Sequence, residues 1–67
     1  MIQITVNGST RALERSVDVA ALVAALELTG KKIAVERNGE IVPRSAHGST
    51  QVLDGDRLEI VVAVGGG

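Results

Sequence analysis

The 67-residue chain contains no cysteine and no aromatic residue, and it has only one histidine and one proline. Without cysteine it can form neither a disulfide nor a thiolate metal site, and a cysteine nucleophile is excluded. Without phenylalanine, tyrosine or tryptophan it has no side chain on which a nucleic-acid base can stack. The hydrophobic core must therefore be aliphatic, and 45% of the residues are hydrophobic, which is enough to build one.

An excess of charge of one sign is also missing. Seven Lys and Arg residues against eight Asp and Glu residues give a formal net charge of -1, and the basic residues are dispersed, which disfavours a nucleic-acid partner. No apolar run reaches the roughly 20 residues that a membrane span needs. Because the sequence begins directly with a strand pattern, we expect no signal peptide. We therefore expect a cytoplasmic protein with no membrane partner.

The N-terminal part of the chain predicts a β-hairpin. Ile2, Ile4 and Val6 alternate with polar residues, as in a strand with one buried face. Asn7-Gly8 is a strong signal for a tight turn, because both residues tolerate positive φ. The return strand is predicted over residues 10–14, with Leu13 opposite Ile2.

A helix is predicted next. Asp18 is a suitable N-cap, and one apolar stripe follows it at helical spacing, formed by Val19, Leu22, Val23 and Leu26. Gly30 is the predicted end of the helix.

The remaining segments predict further strands. A third strand is expected over residues 33–36, a short edge strand at 41–42 that ends at Pro43, a short strand at 52–53 and an apolar final strand at 58–64. Between them lie the turns Asn38-Gly39 and Asp54-Gly55-Asp56, and Glu36, Arg37 and Glu40 are expected to be a solvated hairpin end. The fold class is α+β: a mixed sheet of four to five strands covered by one main helix. If the final strand lies centrally and parallel to the first, the topology is the β-grasp, or ubiquitin-like, fold.

The chain ends in Gly65-Gly66-Gly67, directly after the final strand. We expect residues 1–64 to form the domain and residues 65–67 a flexible tail that is thin enough to enter a narrow channel. A terminal carboxylate is an anion and a poor electrophile until it is activated, for example as an acyl-adenylate formed from ATP. The chain has no phosphate-binding glycine motif of its own. It is therefore predicted to be a substrate of a partner enzyme, not an enzyme, and to need no cofactor itself.

Several segments together resemble ThiS-type sulfur carrier proteins of thiamine biosynthesis. The resemblance extends over essentially the whole chain and is most specific at two places, the Asn38-Gly39-x-x-Val42-Pro43-Arg44 run and the Val-Gly-Gly-Gly ending. It also includes the opening residues 2–8, the helix start at residues 18–22, the turn at residues 54–56 and the final strand.

The resemblance implies a mechanism and a set of partners. An adenylating enzyme of the ThiF type would activate the carboxylate of Gly67 at the expense of ATP. A sulfur donor protein would then displace AMP and leave a thiocarboxylate, which a thiazole synthase of the ThiG type would use as its sulfur source. Gly65 and Gly66 would give access to the partner's active site.

Other residues have weaker claims to function. Leu58, Ile60, Val62, Val64 and Arg44 are candidate partner-binding residues, although the first three are also expected to contribute to the core, with Val61 and Ala63 facing outward as an apolar docking surface. His47 is expected to be a solvated loop residue, and Asp54 and Asp56 are expected to form a turn and not a metal site.

Three alternatives stay open at this point. A molybdopterin-type sulfur carrier and a ubiquitin-like modifier that is conjugated to lysine would both use an adenylated Gly67. A β-grasp interaction module with a functionally silent tail would not.

Overall fold

The computed structural model describes residues 1–63. Within them the elements are β1 (Ile2–Val6), β2 (Ser9–Leu13), β3 (Val17–Asp18), α1 (Val19–Ala25), β4 (Ile33–Arg37), β5 (Glu40–Val42), a 3₁₀ turn (Arg44–Ala46), β6 (Gln51–Val52) and β7 (Arg57–Val62).

The main sheet has five strands in the order β2-β1-β7-β4-β5. The last strand is central, as predicted, and runs parallel to β1, with Thr5 opposite Arg57 and Val6 opposite Leu58. The other pairings in the sheet are antiparallel. This arrangement confirms the predicted mixed sheet and the β-grasp topology. A separate two-stranded pairing of β3 with β6 was not predicted, because two-residue strands are too short to show a periodicity.

Both Asn-Gly pairs form the hairpin turns that the sequence predicts. Asn7 and Asn38 have φ of 50° and 52°, the left-handed conformation that these turns require. In the first hairpin Leu13 lies opposite Ile2, which confirms the predicted register.

The helix begins as predicted but ends earlier. Asp18 accepts a hydrogen bond from the Ala21 N–H at 2.7 Å, and α1 stops at Ala25 instead of continuing to Gly30. The cause is a left-handed residue at Glu27, with φ of 61°. There the N–H of Glu27 donates to the Ala24 carbonyl and the N–H of Leu28 to the Val23 carbonyl, a Schellman motif that closes the helix.

The core lies between α1 and one face of the sheet and is entirely aliphatic, as the missing aromatics require. Its buried members are Ile4, Val6, Val19, Leu22, Val23, Val35, Val42, Val52, Leu58 and Ile60. The other face of the main sheet has no covering helix among residues 1–63. The candidate functional region comprises that open face and the C-terminal end of β7.

Candidate functional site

The C-terminal end of β7 forms the base of the tail. β7 pairs with β4 as far as Val62 opposite Ile33, and the Ala63 N–H donates to the Lys32 carbonyl at 2.8 Å. The predicted final strand extended to Val64, but Val64 and the glycines Gly65–Gly67 lie outside the described residues. Their roles remain predictions, and Ala63 is the last residue that the structure describes.

The two faces of β7 differ sharply in burial. Leu58 and Ile60 are 0% and 5% exposed and belong to the core, and Val62 on the same face is 41% exposed at the strand end, whereas Val61 on the opposite face is 61% exposed. This corrects the assignment of Leu58 and Ile60 as partner-binding residues: their side chains point under the helix and are covered by it. Of the candidates on this strand within the described residues, Val62 retains an accessible side chain.

An apolar patch lies on the open face beside the tail base. Val61 lies opposite Ala34, and Ile41, which is 65% exposed, lies opposite Glu36, the next residue of β4 on that face. We call Ala34, Ile41 and Val61 the open-face patch. Exposed aliphatic side chains grouped on one face of a sheet are typical of a docking surface.

The side chain of Asn7 contacts β7 just before the tail base. Its Oδ1 accepts from the Ile60 N–H at 2.7 Å, and its Nδ2 donates to the Ile60 carbonyl at 2.9 Å. The amide group thereby satisfies both backbone groups of one residue of the central strand. The sequence indicated Asn7 only as a turn residue, because the contact joins positions 53 residues apart.

The beginning of β7 carries a buried carboxylate. Asp56 is 6% exposed and accepts hydrogen bonds from Arg37 Nε at 2.7 Å, from Asn38 Nδ2 at 3.0 Å and from the Leu53 N–H at 2.8 Å. Burial by itself raises the pKa of Asp56, but the hydrogen bonds from Leu53, Asn38 and Arg37 and the charge of Arg37 outweigh it and hold the pKa below its ordinary value. Arg37 is therefore an internal partner of Asp56 and not a solvated hairpin residue as predicted.

Arg44 and His47 lie toward the other end of β7, because they share a pocket with Ile33, which pairs with Val62. Arg44 donates from Nη2 to the Lys31 carbonyl at 3.2 Å, and both residues line a pocket of about 300 Å³ together with Val23, Leu28 and Ile33. His47 is half-buried, with Nε2 3.2 Å from the Val42 carbonyl, so it is in a loop as predicted but is not simply solvated. Through this contact the 44–51 loop packs against the end of β5.

The same residues were also candidates for a metal centre and for a membrane-spanning helix. Within residues 1–63 no three His, Cys, Asp or Glu side chains are grouped so that they could hold a metal ion. None of the helices in this part of the chain has the length and apolar character needed to cross a membrane.

The sequence matches the model of the ThiS family over residues 4–67. The chain belongs to the ThiS family. This confirms the resemblance to ThiS-type sulfur carriers that the sequence indicates.

Relatives of this ThiS-family chain include proteins of two sizes. It is 46% identical over 66 residues to a thiazole synthase of Paramagnetospirillum magneticum, covering 98% of the chain and 20% of that protein. It is 41% identical over 46 residues to the sulfur carrier protein ThiS of Bacillus subtilis, covering 69% of the chain and 70% of that protein. The chain thus spans about a fifth of the length of the thiazole synthases that it matches.

Among solved structures, the fold is similar to that of the thiamine biosynthesis protein ThiS from Geobacter metallireducens. The TM-score is 0.85 at 36% sequence identity, and the match covers 98% of this chain and 100% of the other. The β-grasp assignment therefore rests on topology and on this similarity together.

Proposed function

We propose that this ThiS-family chain is a sulfur carrier of thiamine biosynthesis, and that its sulfur is carried as a thiocarboxylate on Gly67. The observation that supports this best is the family match over residues 4–67, because it includes the Gly65–Gly67 ending. The relative from Bacillus subtilis, which is named a sulfur carrier protein, supports the same activity. In this proposal the chain is the substrate of partner enzymes and not a catalyst.

The chemistry proceeds in two steps at the carboxyl group of Gly67. The carboxylate attacks the α-phosphate of ATP, which gives an acyl-adenylate and releases pyrophosphate. A sulfur nucleophile at the oxidation level of sulfide then attacks the acyl carbon and displaces AMP, which leaves the thiocarboxylate. The adenylating enzyme binds ATP, and this chain contributes the carboxyl group, an access path along Gly65 and Gly66 and a surface by which it is recognised.

The open-face patch is the surface that we assign to the adenylating enzyme. Ala34, Ile41 and Val61 are exposed, and Val61 precedes Gly65 by only four positions, so a partner that covers the patch also reaches the tail. The net charge of -1 makes long-range steering weak, and an apolar contact then supplies most of the binding energy.

Thiazole synthase is the proposed acceptor of the sulfur. Two relatives named thiazole synthase contain a segment similar to this chain within a polypeptide about five times as long. A carrier domain linked to the enzyme that uses its sulfur would act at a high effective concentration, and this supports a functional pairing of the two proteins.

Mass spectrometry of the intact protein tests the proposal. The chain is incubated with ATP, a ThiF-type enzyme and a sulfur source, and the expected product has gained the mass of one oxygen-to-sulfur exchange at Gly67. The matched control lacks Gly66 and Gly67 and should remain unmodified. The proposal requires a free carboxyl group on Gly67, which the same spectrum of the untreated protein checks. An isopeptide adduct in cells would instead indicate a protein modifier, and no adenylate or thiocarboxylate would contradict both readings.

A further inference from the structure

The two Asn-Gly turns hold the central strand in the same way at different places. Asn7 and Asn38 are both left-handed, and each is followed by glycine. At the beginning of β7, Asn38 accepts from the Arg57 N–H at 2.9 Å and donates to Asp56 at 3.0 Å. Toward its end, Asn7 accepts from the N–H and donates to the carbonyl of Ile60 at 2.7 and 2.9 Å. The pair therefore offers a natural comparison.

Asn7 takes the place of a missing strand partner. β1 pairs with β7 only at Thr5 and Val6, opposite Arg57 and Leu58, and then turns away into its hairpin. An amide side chain has one donor and one acceptor in the arrangement of a peptide group, so Asn7 continues the ladder by one residue. From Ile60 onward, β7 is held by this side chain on one side and by β4 on the other.

We propose that Asn7 is a positioning residue for the tail, fixing the direction in which the chain leaves the sheet relative to the open-face patch. This inference rests on the proposed function. Val61 of the patch follows Ile60 directly. The two hydrogen bonds from Asn7 to Ile60 therefore influence the angle between the docking surface and the chain that leads to Gly67. Gly67 follows Ile60 by seven residues, which can span at most roughly 23–25 Å, so the position of Ile60 limits where the reacting carboxyl can reach. A misplacement of about 1 Å can lower a reaction rate about 100-fold.

Two matched variants test the proposal, Asn7→Gly and Asn38→Gly. Glycine adopts the left-handed turn conformation without strain, so each variant keeps its hairpin turn. Asn7→Gly loses the two hydrogen bonds to the end of β7, and Asn38→Gly loses the two at its beginning. Both should fold, as circular dichroism checks, and both should have a lower urea midpoint than the wild type. At saturating adenylating enzyme, Asn7→Gly should lower the rate of pyrophosphate release about tenfold or more, while Asn38→Gly should stay within about twofold.

A conservative variant separates positioning from general stability. Asn7→Asp keeps an acceptor for the Ile60 N–H but cannot donate to the Ile60 carbonyl when ionised. The oxygen that replaces Nδ2 repels the Ile60 carbonyl, so the rate should fall at least as far as in Asn7→Gly. This variant also serves if Asn7→Gly fails to fold. The Michaelis constant for the carrier should change less than the maximal rate, because the docking surface is intact.

Hydrogen exchange supplies a readout that does not depend on any partner. Asn7→Gly should accelerate exchange of the Ile60 and Ala63 amides, whereas Asn38→Gly should accelerate that of Arg57. Equal rates of pyrophosphate release in the two glycine variants would overturn the positioning role, as would unchanged exchange at Ala63 in Asn7→Gly. A wild-type chain that forms no adenylate would contradict the proposed function instead, and the exchange data would still decide whether Asn7 fixes the tail base.

Discussion

The two ends of the central strand are built differently. At its beginning, the carboxylate of Asp56 accepts hydrogen bonds from the neighbouring side chains of Arg37 and Asn38 and from the backbone N–H of Leu53. At its end, Ile60 is held by one side chain, Asn7, and Ala63 by a single backbone hydrogen bond to Lys32. The beginning is anchored by a charged network, and the end by neutral hydrogen bonds.

This difference separates stability from function along a single strand. A buried and fully hydrogen-bonded carboxylate is costly to disturb, so the beginning of β7 resists local opening. The end has more exposed apolar surface, with Val61 and Val62 61% and 41% exposed, which fits the docking role that we propose for it. Variants at the two ends should therefore affect different measurements.

The largest effect on stability is expected from Asp56→Asn. The substitution keeps the shape of the side chain but removes the charge that pairs with Arg37. Losing one member of a buried ion pair typically costs roughly 3–5 kcal/mol, and the 28% exposure of the Arg37 side chain reduces this to about 2–3 kcal/mol by solvent screening. Urea unfolding followed by circular dichroism measures it.

Asp54→Asn is the matched control for that prediction. Asp54 is exposed and accepts from the Gln3 N–H at 2.7 Å, which an asparagine oxygen can also do, so the change should be within about 0.5 kcal/mol. Equal destabilisation by the two variants would show that the network around Asp56 is not the anchor of this end. Adenylation by the partner enzyme should survive in both.

The same network predicts a dependence of stability on pH. The folded-state pKa of Asp56 lies below its ordinary value of 3.8, so the unfolded chain takes up a proton first as the pH falls. The stabilisation is fully present well above pH 3.8 and is lost as the pH falls below it through the folded-state pKa. The difference in unfolding free energy between wild type and Asp56→Asn should be constant near neutral pH and shrink in this acidic range. A difference that stays constant down to strongly acidic pH would contradict the assignment.

At the other end, Val61→Asp should weaken binding to the adenylating enzyme without unfolding the chain. A buried unpaired charge in an interface costs several kcal/mol at most, and we expect the Michaelis constant for the carrier to rise at least about tenfold, or about 1.4 kcal/mol. Leu53→Asp is the matched control, because Leu53 is 50% exposed and precedes the beginning of β7. A similar rise in both variants would remove the open-face patch as the docking surface.

The sequence predicted the features of this fold that depend on local patterns. The alternation in β1, the Asn-Gly turns, the Asp18 cap and the central position of the last strand all follow from residues close together in the chain. The sulfur-carrier resemblance likewise depended on short runs such as Asn38 to Arg44.

Contacts between distant residues were the part that could not be predicted. The hydrogen bonds of Asn7 with Ile60 and of Arg37 with Asp56 join residues 53 and 19 positions apart, and both asparagine and arginine have ordinary roles in exposed turns. The sequence did predict that Leu58 and Ile60 face the core and that Val61 faces outward, and burial confirms this. The same burial leaves Leu58 and Ile60 no accessible side chain for the partner-binding role that was also predicted for them.

The smallest predicted effect concerns the loop that supports the tail end. Glu27 is left-handed, with φ of 61°, and the loop that follows it leads to Lys32, the acceptor for Ala63. A left-handed non-glycine residue costs roughly 1–2 kcal/mol, and glycine at a helix end removes that strain while adding roughly 0.4–1 kcal/mol of unfolded-state entropy. Glu27→Gly should therefore stabilise the protein by about 0.5–1 kcal/mol in urea unfolding.

Glu27→Ala separates backbone strain from loss of the charge. Alanine removes the carboxylate but keeps the Cβ atom that the left-handed conformation disfavours, so its stability should stay within about 0.5 kcal/mol of the wild type. If alanine stabilises as much as glycine, the carboxylate and not the backbone is the source of the cost. If strain is the source, Glu27→Gly should raise stability without changing the rate of adenylation. The loop from Glu27 to Lys32 would then be strained without affecting adenylation. Asn7 would remain the residue that we propose to position the tail.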